Sequence, residues 1–154
     1  MEFVIPQKLL QIDVDILRSQ LRYHKKRVLV TKEFSFDAAH HLYAYNGKCV
    51  GLHGHTYRLL VTVSAVPDDI GLAIDFSDLK RIVKQCVVDR LDHQYLNAVL
   101  PPMNTTAENM VVWIYEQIAS ALETEGFQIR MERVLLWETP TSCAEITREE
   151  MEES

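Results

Sequence analysis

Apolar and polar residues alternate from Val28 to His40. Val28, Val30, Phe34, Phe36 and Ala38 share one parity, and Thr31, Glu33, Ser35 and Asp37 take the other. A period of two predicts a half-buried strand. His40 shares the parity of the two phenylalanines and faces inward at the strand's end, whereas His41 faces away. Leu42–Lys48 reads as a loop. A second alternating run, Leu52–Val66, puts His53, His55, Tyr57, Leu59, Val61 and Val63 on one face. Two consecutive strands of this kind make an antiparallel hairpin, whose loop end brings His40 to the His53/His55 pair. Pro67–Gly71 then breaks the strand pattern.

Leu79, Ile82, Val83, Val87 and Leu91 recur at three and four residues, which predicts an amphipathic helix over Asp78–Leu91 with Asp75 or Ser77 as its N-cap. Pro101–Pro102 forbids helix beyond that region. Thr105 and Glu108 have the spacing of a capping box, opening a helix over Ala107–Thr124 that Gly126 closes. Phe127–Glu138 and Cys143–Thr147 are strand-like, separated by a turn at Thr139–Ser142. The order β-β-α-α-β-β predicts an α+β domain: an antiparallel four-stranded sheet with two helices on one face. The other face needs cover, which points to a homo-oligomer.

Residues 1–27 show no clear period and end in the basic cluster His24–Arg27, so they read as an N-terminal extension ahead of a domain at 28–154. The 154 residues suit one such domain. A net charge of −6 argues against nucleic acid as a partner. The absence of a long apolar run argues against a membrane one. Three scattered cysteines form no disulfide framework, and a cytoplasmic location is expected. Cys86 and Cys143 read as packing residues.

The chemistry concentrates in Lys48–His55, which holds Cys49, His53 and His55. With His40 it supplies three imidazoles and no carboxylate, a donor set that favours a zinc site with a position kept open and that iron, nickel or copper would also accept. Cys49 is open to two readings. Beside Lys48 and a cation its thiol pKa would fall, making it a base or nucleophile; alternatively it is a fourth ligand and closes the site. Asp92–His93 reads either as an acid–base pair or as a charged helix end. Glu138 shares parity with Val134 and Leu136, and a carboxyl group on a partly apolar face needs partners.

Phe36-Asp37-Ala38-Ala39-His40, Cys49-x3-His53-Gly54-His55, Asp75-Phe76, Leu91-Asp92-His93-x2-Leu96-Asn97, Thr106-Ala107-Glu108-Asn109 and Glu138-Thr139 occur in this order. Over residues 28–147 the chain resembles the 6-pyruvoyltetrahydropterin synthase / 6-carboxytetrahydropterin synthase family. The resemblance implies a T-fold (tunnelling fold), with trimeric, oligomeric β-barrels stacked as a homohexamer. It implies a pterin triphosphate substrate, 7,8-dihydroneopterin triphosphate, and a Zn2+ ion on His40, His53 and His55. It makes Cys49 the catalytic base, His93 with Asp92 its relay, and Glu138 the pterin anchor and a member of the catalytic set. Thr106 and Glu108 fall among the substrate-binding positions.

The three-residue gap between Cys49 and His53 resembles the 6-carboxytetrahydropterin synthases of queuosine (7-deazaguanine) biosynthesis. The expected activity is therefore that of a zinc-dependent carbon–carbon lyase. The tetrahydrobiopterin-type triphosphate lyase is the near alternative. A zinc-stabilised binding module without turnover and a generic zinc hydrolase are the more distant ones.

Overall fold

The computed structural model describes residues 2–7, 9, 12, 14–47 and 51–153. The period-two runs form the long hairpin: β1 (Val28–His40) pairs antiparallel with β2 (His53–Ala65) along its whole length, from Val28 opposite Ala65 to His40 opposite His53. Chain reversal brings back β4 (Arg130–Thr139) against β2 and β5 (Ser142–Thr147) against β4, both antiparallel. A bulge interrupts the β2–β4 ladder at Glu132, between the Thr62–Arg133 and Val63–Met131 pairs. The extra residue reverses strand parity. Met131 is therefore buried with Val134 and Leu136 although its number has the opposite parity.

The sheet has five strands rather than the four expected: with β3 at Gln94–Tyr95 the order is β3-β1-β2-β4-β5, and the sheet is mixed rather than purely antiparallel. The added strand, β3 (Gln94–Tyr95), runs parallel to Ala38 and Ala39 at the far end of β1. Two residues are too short to produce an alternation that could be read in advance.

Helix α1 (Phe76–Val83) starts at Asp75, whose carboxylate accepts from the Ser77 N–H, and passes into a π-helical turn at Lys84–Val88 and a last turn, α2 (Asp89–Leu91). The π turn adds one residue to the helical register. Val87 and Val88 are consequently both buried, along with Leu79, Ile82, Val83 and Leu91. The short α3 (Leu96–Val99) follows, then α4 (Ala107–Thr124), closed by Gly126 at a positive φ of 78°. A final turn, α5 (Arg148–Glu152), ends the fold. Met110, Ile114 and Ile118 of α4 pack with the α1 residues onto Phe34, Phe36, Leu59, Val61, Val134 and Leu136. Truncating a fully buried member such as Ile114 to alanine is expected to cost about 2–5 kcal/mol.

Thr105 does not cap α4. Thr106 does, at φ −71° and ψ 154°, accepting from the Asn109 N–H at 3.2 Å, because Thr105 is fully buried and committed to His40. Glu108 lies exposed in the first helical turn, where its charge suits the helix dipole. Cys86 is partly buried against the core, but Cys143 is exposed on β5 and is not the packing residue its strand position suggested. No described helix is long and apolar enough to cross a membrane. Ahead of β1, Arg18–Gln20 forms a 3-10 turn, and Arg18 forks onto Asp69 at 3.1 and 3.2 Å.

Candidate active site

The hairpin register brings the three histidines together. His40 ends β1 directly opposite His53, which begins β2, and His55 stands opposite Ala38 on the same face. The ring centroids are 4.6 Å apart for His40–His53, 4.8 Å for His53–His55 and 5.2 Å for His40–His55. One ring nitrogen from each lies within 4.8 Å of the others.

The hydrogen bonds determine which nitrogens face the centre. His40 Nδ1 is 2.8 Å from the Thr105 carbonyl oxygen, and His53 Nδ1 is 2.7 Å from that of Gly51. A carbonyl oxygen only accepts, so both Nδ1 atoms carry hydrogen. Each neutral ring then presents a bare lone pair at Nε2, and those two Nε2 atoms are 3.1 Å apart. Burial lowers the pKa of His40 and of His55, with the nearby Glu138 opposing it in both, so the rings favour the neutral form. His55 Nε2 is buried without a hydrogen-bond partner among the described residues; Glu138 Oε1, at 3.6 Å, is within ion-pair range but beyond hydrogen-bond range. Facing lone pairs repel unless a cation or proton lies between them. Imidazoles held by Nδ1–H to carbonyl bonds, with Nε2 turned to a common point, have the donor set and outer hydrogen bonds of a zinc centre.

Two cavities flank His55, and Gly54, His55 and Thr56 line both. The larger, about 650 Å³, adds Tyr57, Arg58, Trp137 and Glu138. The second, about 590 Å³, adds Asp37, His93 and Tyr95. Tyr57 is fully buried, stacked on Phe36 at 5.0 Å, and burial raises its pKa so that it stays a neutral phenol.

Asp92 and His93 do form a pair, with His93 Nδ1 3.0 Å from Asp92 Oδ1. Strand β3 draws them against β1. The Asp37 N–H donates to Asp92 Oδ1 at 3.0 Å, and the His93 N–H donates to the Asp37 carbonyl at 2.6 Å. The first of these bonds holds the Asp92 carboxyl below its ordinary pKa against the opposing effect of desolvation, and the His93 contact adds to the lowering. His93 has φ 59°, a left-handed conformation uncommon outside glycine, and its side chain is 76% exposed toward the second cavity. The Thr56 hydroxyl donates to Asp37 Oδ1. Thr106 and Glu108 sit at the start of α4, next to the Thr105 that holds His40. Cys49 and Lys48 lie outside the described residues.

Sequence reasoning did not single out Thr105 as a contact of His40, nor Asp37, Tyr57 and Tyr95 as part of the site. Asn97 was marked only by its motif, yet it binds both sides of the His41 peptide.

The fold and site define an α+β domain with a three-imidazole centre at the mouth of a long hairpin, its His55 lining two cavities. The sequence profile of the 6-pyruvoyl tetrahydropterin synthase family matches residues 29–149, and the chain belongs to that family. It is 38% identical over 140 residues to a 6-carboxy-5,6,7,8-tetrahydropterin synthase of Haemophilus influenzae, covering 75% of this chain and 96% of that one. It is 32% identical over 120 residues to a 6-pyruvoyl tetrahydrobiopterin synthase of Dictyostelium discoideum, covering 69% and 89%. Among solved structures, the 6-pyruvoyl tetrahydropterin synthase of Caenorhabditis elegans superposes with a TM-score of 0.71 at 24% identity, covering 82% of this chain and 99% of that one.

Proposed function

We propose that the protein is a zinc-dependent 6-carboxy-5,6,7,8-tetrahydropterin synthase. It would convert 7,8-dihydroneopterin triphosphate and water to 6-carboxytetrahydropterin, acetaldehyde and triphosphate, a carbon–carbon lyase step of queuosine (7-deazaguanine) biosynthesis. The observation that carries this reading is the convergence of His40, His53 and His55, of which His55 lines both cavities, with Glu138 on one of them and His93 on the other. The three-residue Cys49–His53 spacing and the Haemophilus relative favour the carboxy product.

His40, His53 and His55 would hold Zn2+, which supplies Lewis acidity toward the substrate's side-chain hydroxyls. Glu138, at the rim of the larger cavity, would accept the pterin's adjacent N–H donors and so orient the ring. Cys49 would remove the proton from the side-chain carbon beside the ring. His93, on the second cavity and hydrogen-bonded to Asp92, would carry protons between substrate and solvent; its exposure suits that exchange. Thr106 and Glu108, at the start of α4, would complete the substrate contacts.

We further propose that residues 1–27 are an extension to a catalytic domain at 28–154, and that the working form is a cytoplasmic homohexamer of two stacked trimers. Support comes from the sheet's edges. Among the described residues β3 covers only Ala38 and Ala39 of β1, and the outer edge of β5 carries no strand. Exposed edges of this length invite pairing with another copy.

A second reading, the 6-pyruvoyl product, is favoured by the Dictyostelium relative. Incubation with 7,8-dihydroneopterin triphosphate and mass analysis of all products separates the two. Acetaldehyde with the carboxylated pterin supports the first reading. A pyruvoyl pterin without acetaldehyde overturns it in favour of the second, and an unaltered substrate overturns both.

A further inference from the structure

Two asparagine side chains hold the segment that leaves β1. Asn97 accepts from the His41 N–H at 3.1 Å and donates to the His41 carbonyl at 3.0 Å. Asn104 does the same for Tyr43, at 2.6 and 3.0 Å. Each amide makes the reciprocal pair of bonds that a neighbouring strand would make, and at alternate residues, so the extended chain is carried past His40 without a strand beside it.

The two clamps differ in what lies behind them. Asn104 is tied to α4, its backbone carbonyl accepting from Asn109 Nδ2 at 2.9 Å. Asn97 is tied to the histidine centre. Its Oδ1 lies 3.3 Å from the Thr105 hydroxyl, which is also 3.4 Å from the His41 carbonyl. Thr105 in turn holds His40 through its carbonyl at 2.8 Å and its hydroxyl at 3.1 Å from Nδ1. Thr105 and His40 are 0% and 1% exposed, so no solvent can replace these bonds.

We propose that Asn97 is the positioning residue of the three-histidine centre. Acting through Thr105, it fixes the ring plane and the Nδ1–H tautomer of His40, and so aims the His40 Nε2 lone pair at the point that His53 and His55 also face. The inference rests on the metal reading of that centre. Hydrogen bonds of this kind, behind a ligand rather than to the metal, typically change affinity by about 10–100-fold. The paired clamp supplies an internal control, because Asn104→Ala removes bonds of the same kind and number from the same segment without touching the path to His40.

The test measures zinc affinity of the full chain by chelator competition, together with the visible absorption of the Co2+ form and the thermal midpoint of the metal-free protein. Asn97→Ala is expected to weaken zinc binding by about tenfold or more and to alter the Co2+ spectrum. Asn104→Ala is expected to lower the metal-free midpoint by a similar amount while leaving zinc affinity within about threefold of the unaltered chain, well short of the usual outer-bond effect. Thr105→Val, close in shape and certain to test the link even if Asn97→Ala does not fold, is expected to weaken zinc by about tenfold, and Thr105→Ser to restore it. Equal effects of Asn97→Ala and Asn104→Ala, or a Thr105→Val protein that binds zinc as the unaltered chain does, overturn the inference and leave the metal site standing. An unaltered chain that binds no zinc overturns the metal reading and the inference together.

Discussion

His40 and His53 face each other across the hairpin with their Nε2 atoms 3.1 Å apart, and each has its Nδ1–H committed to a backbone carbonyl. The arrangement is unfavourable for two neutral rings alone. It becomes favourable with a cation between them, and the unpartnered Nε2 of His55 completes the same demand.

Zinc should therefore stabilise the fold. At a free concentration one hundred times Kd, binding to the native state alone adds about 2.7 kcal/mol, and the thermal midpoint should rise accordingly. His53→Ala is expected to bind no zinc by elemental analysis and to show no such rise. A His53→Ala protein with full zinc occupancy would place the ion elsewhere.

Cys49→Ala distinguishes a base from a ligand. A general base contributes about 10²–10⁴ in rate, so this variant should keep its zinc and lose turnover on that scale. Loss of the metal along with the activity would make the thiol a fourth ligand and the site a closed, structural one.

The hairpin and its histidines were legible in the sequence because strand parity is a local, periodic signal: Phe34, Phe36, His40, His53, His55 and Tyr57 declare their face by position alone. The features that were not legible depend on distant partners. Strand β3 exists because Gln94 and Tyr95 find Ala38 and Ala39, and that pairing is what turns Asp92 and His93 toward Asp37. The helix Ala107–Thr124 runs as its periodicity predicted, but the Thr105–Glu108 spacing misplaces its cap: the N-cap is Thr106, because the burial of His40 claims Thr105. The bulge at Glu132 reverses a parity that the alternation around Met131 cannot reveal.

Asp92 gives a pH dependence of definite sign. Its pKa is lowered in the fold, chiefly by the Asp37 N–H. Its stabilising contribution is thus fully present above the unfolded value of about 3.9 and is lost as pH falls through the lower, folded value. Thermal midpoints of the unaltered chain and Asp92→Asn should differ most at neutral pH and converge as the pH is lowered below 4. A constant difference across that window would show that the Asp92 charge is not what the fold uses.

The two described cysteines should react in a fixed order. Burial pushes the Cys86 thiol up to about 11, while Cys143 is exposed. Since the thiolate is the nucleophile, iodoacetamide at pH 8 should modify Cys143 first and Cys86 only on unfolding, as read by peptide mapping. A raised thiol pKa also means that the Cys86 contribution to stability is present below the unfolded value of about 8.5 and is lost as pH rises beyond it. Early modification of Cys86 in the native protein would contradict its burial.

The pterin-anchoring role proposed for Glu138 can be separated from a role in holding the metal. Its carboxyl group lines the larger cavity near the end of β4, and its contact with His55 Nε2, at 3.6 Å, is too long for a hydrogen bond. Two acceptor oxygens on one carbon match two adjacent N–H donors on a heterocycle, and each charge-assisted bond of this type contributes about 1.5–3 kcal/mol. Glu138→Gln keeps the shape and one acceptor but places a donor where the second N–H must bind. Losing one such bond corresponds to about a 10- to 100-fold weakening. Glu138→Gln should accordingly raise KM for 7,8-dihydroneopterin triphosphate by that factor, with zinc content unchanged. If the variant instead loses zinc at unchanged KM, Glu138 serves the metal centre, and the pterin must be held by other groups in the cavity wall, among them Arg58, Trp137 and Thr139.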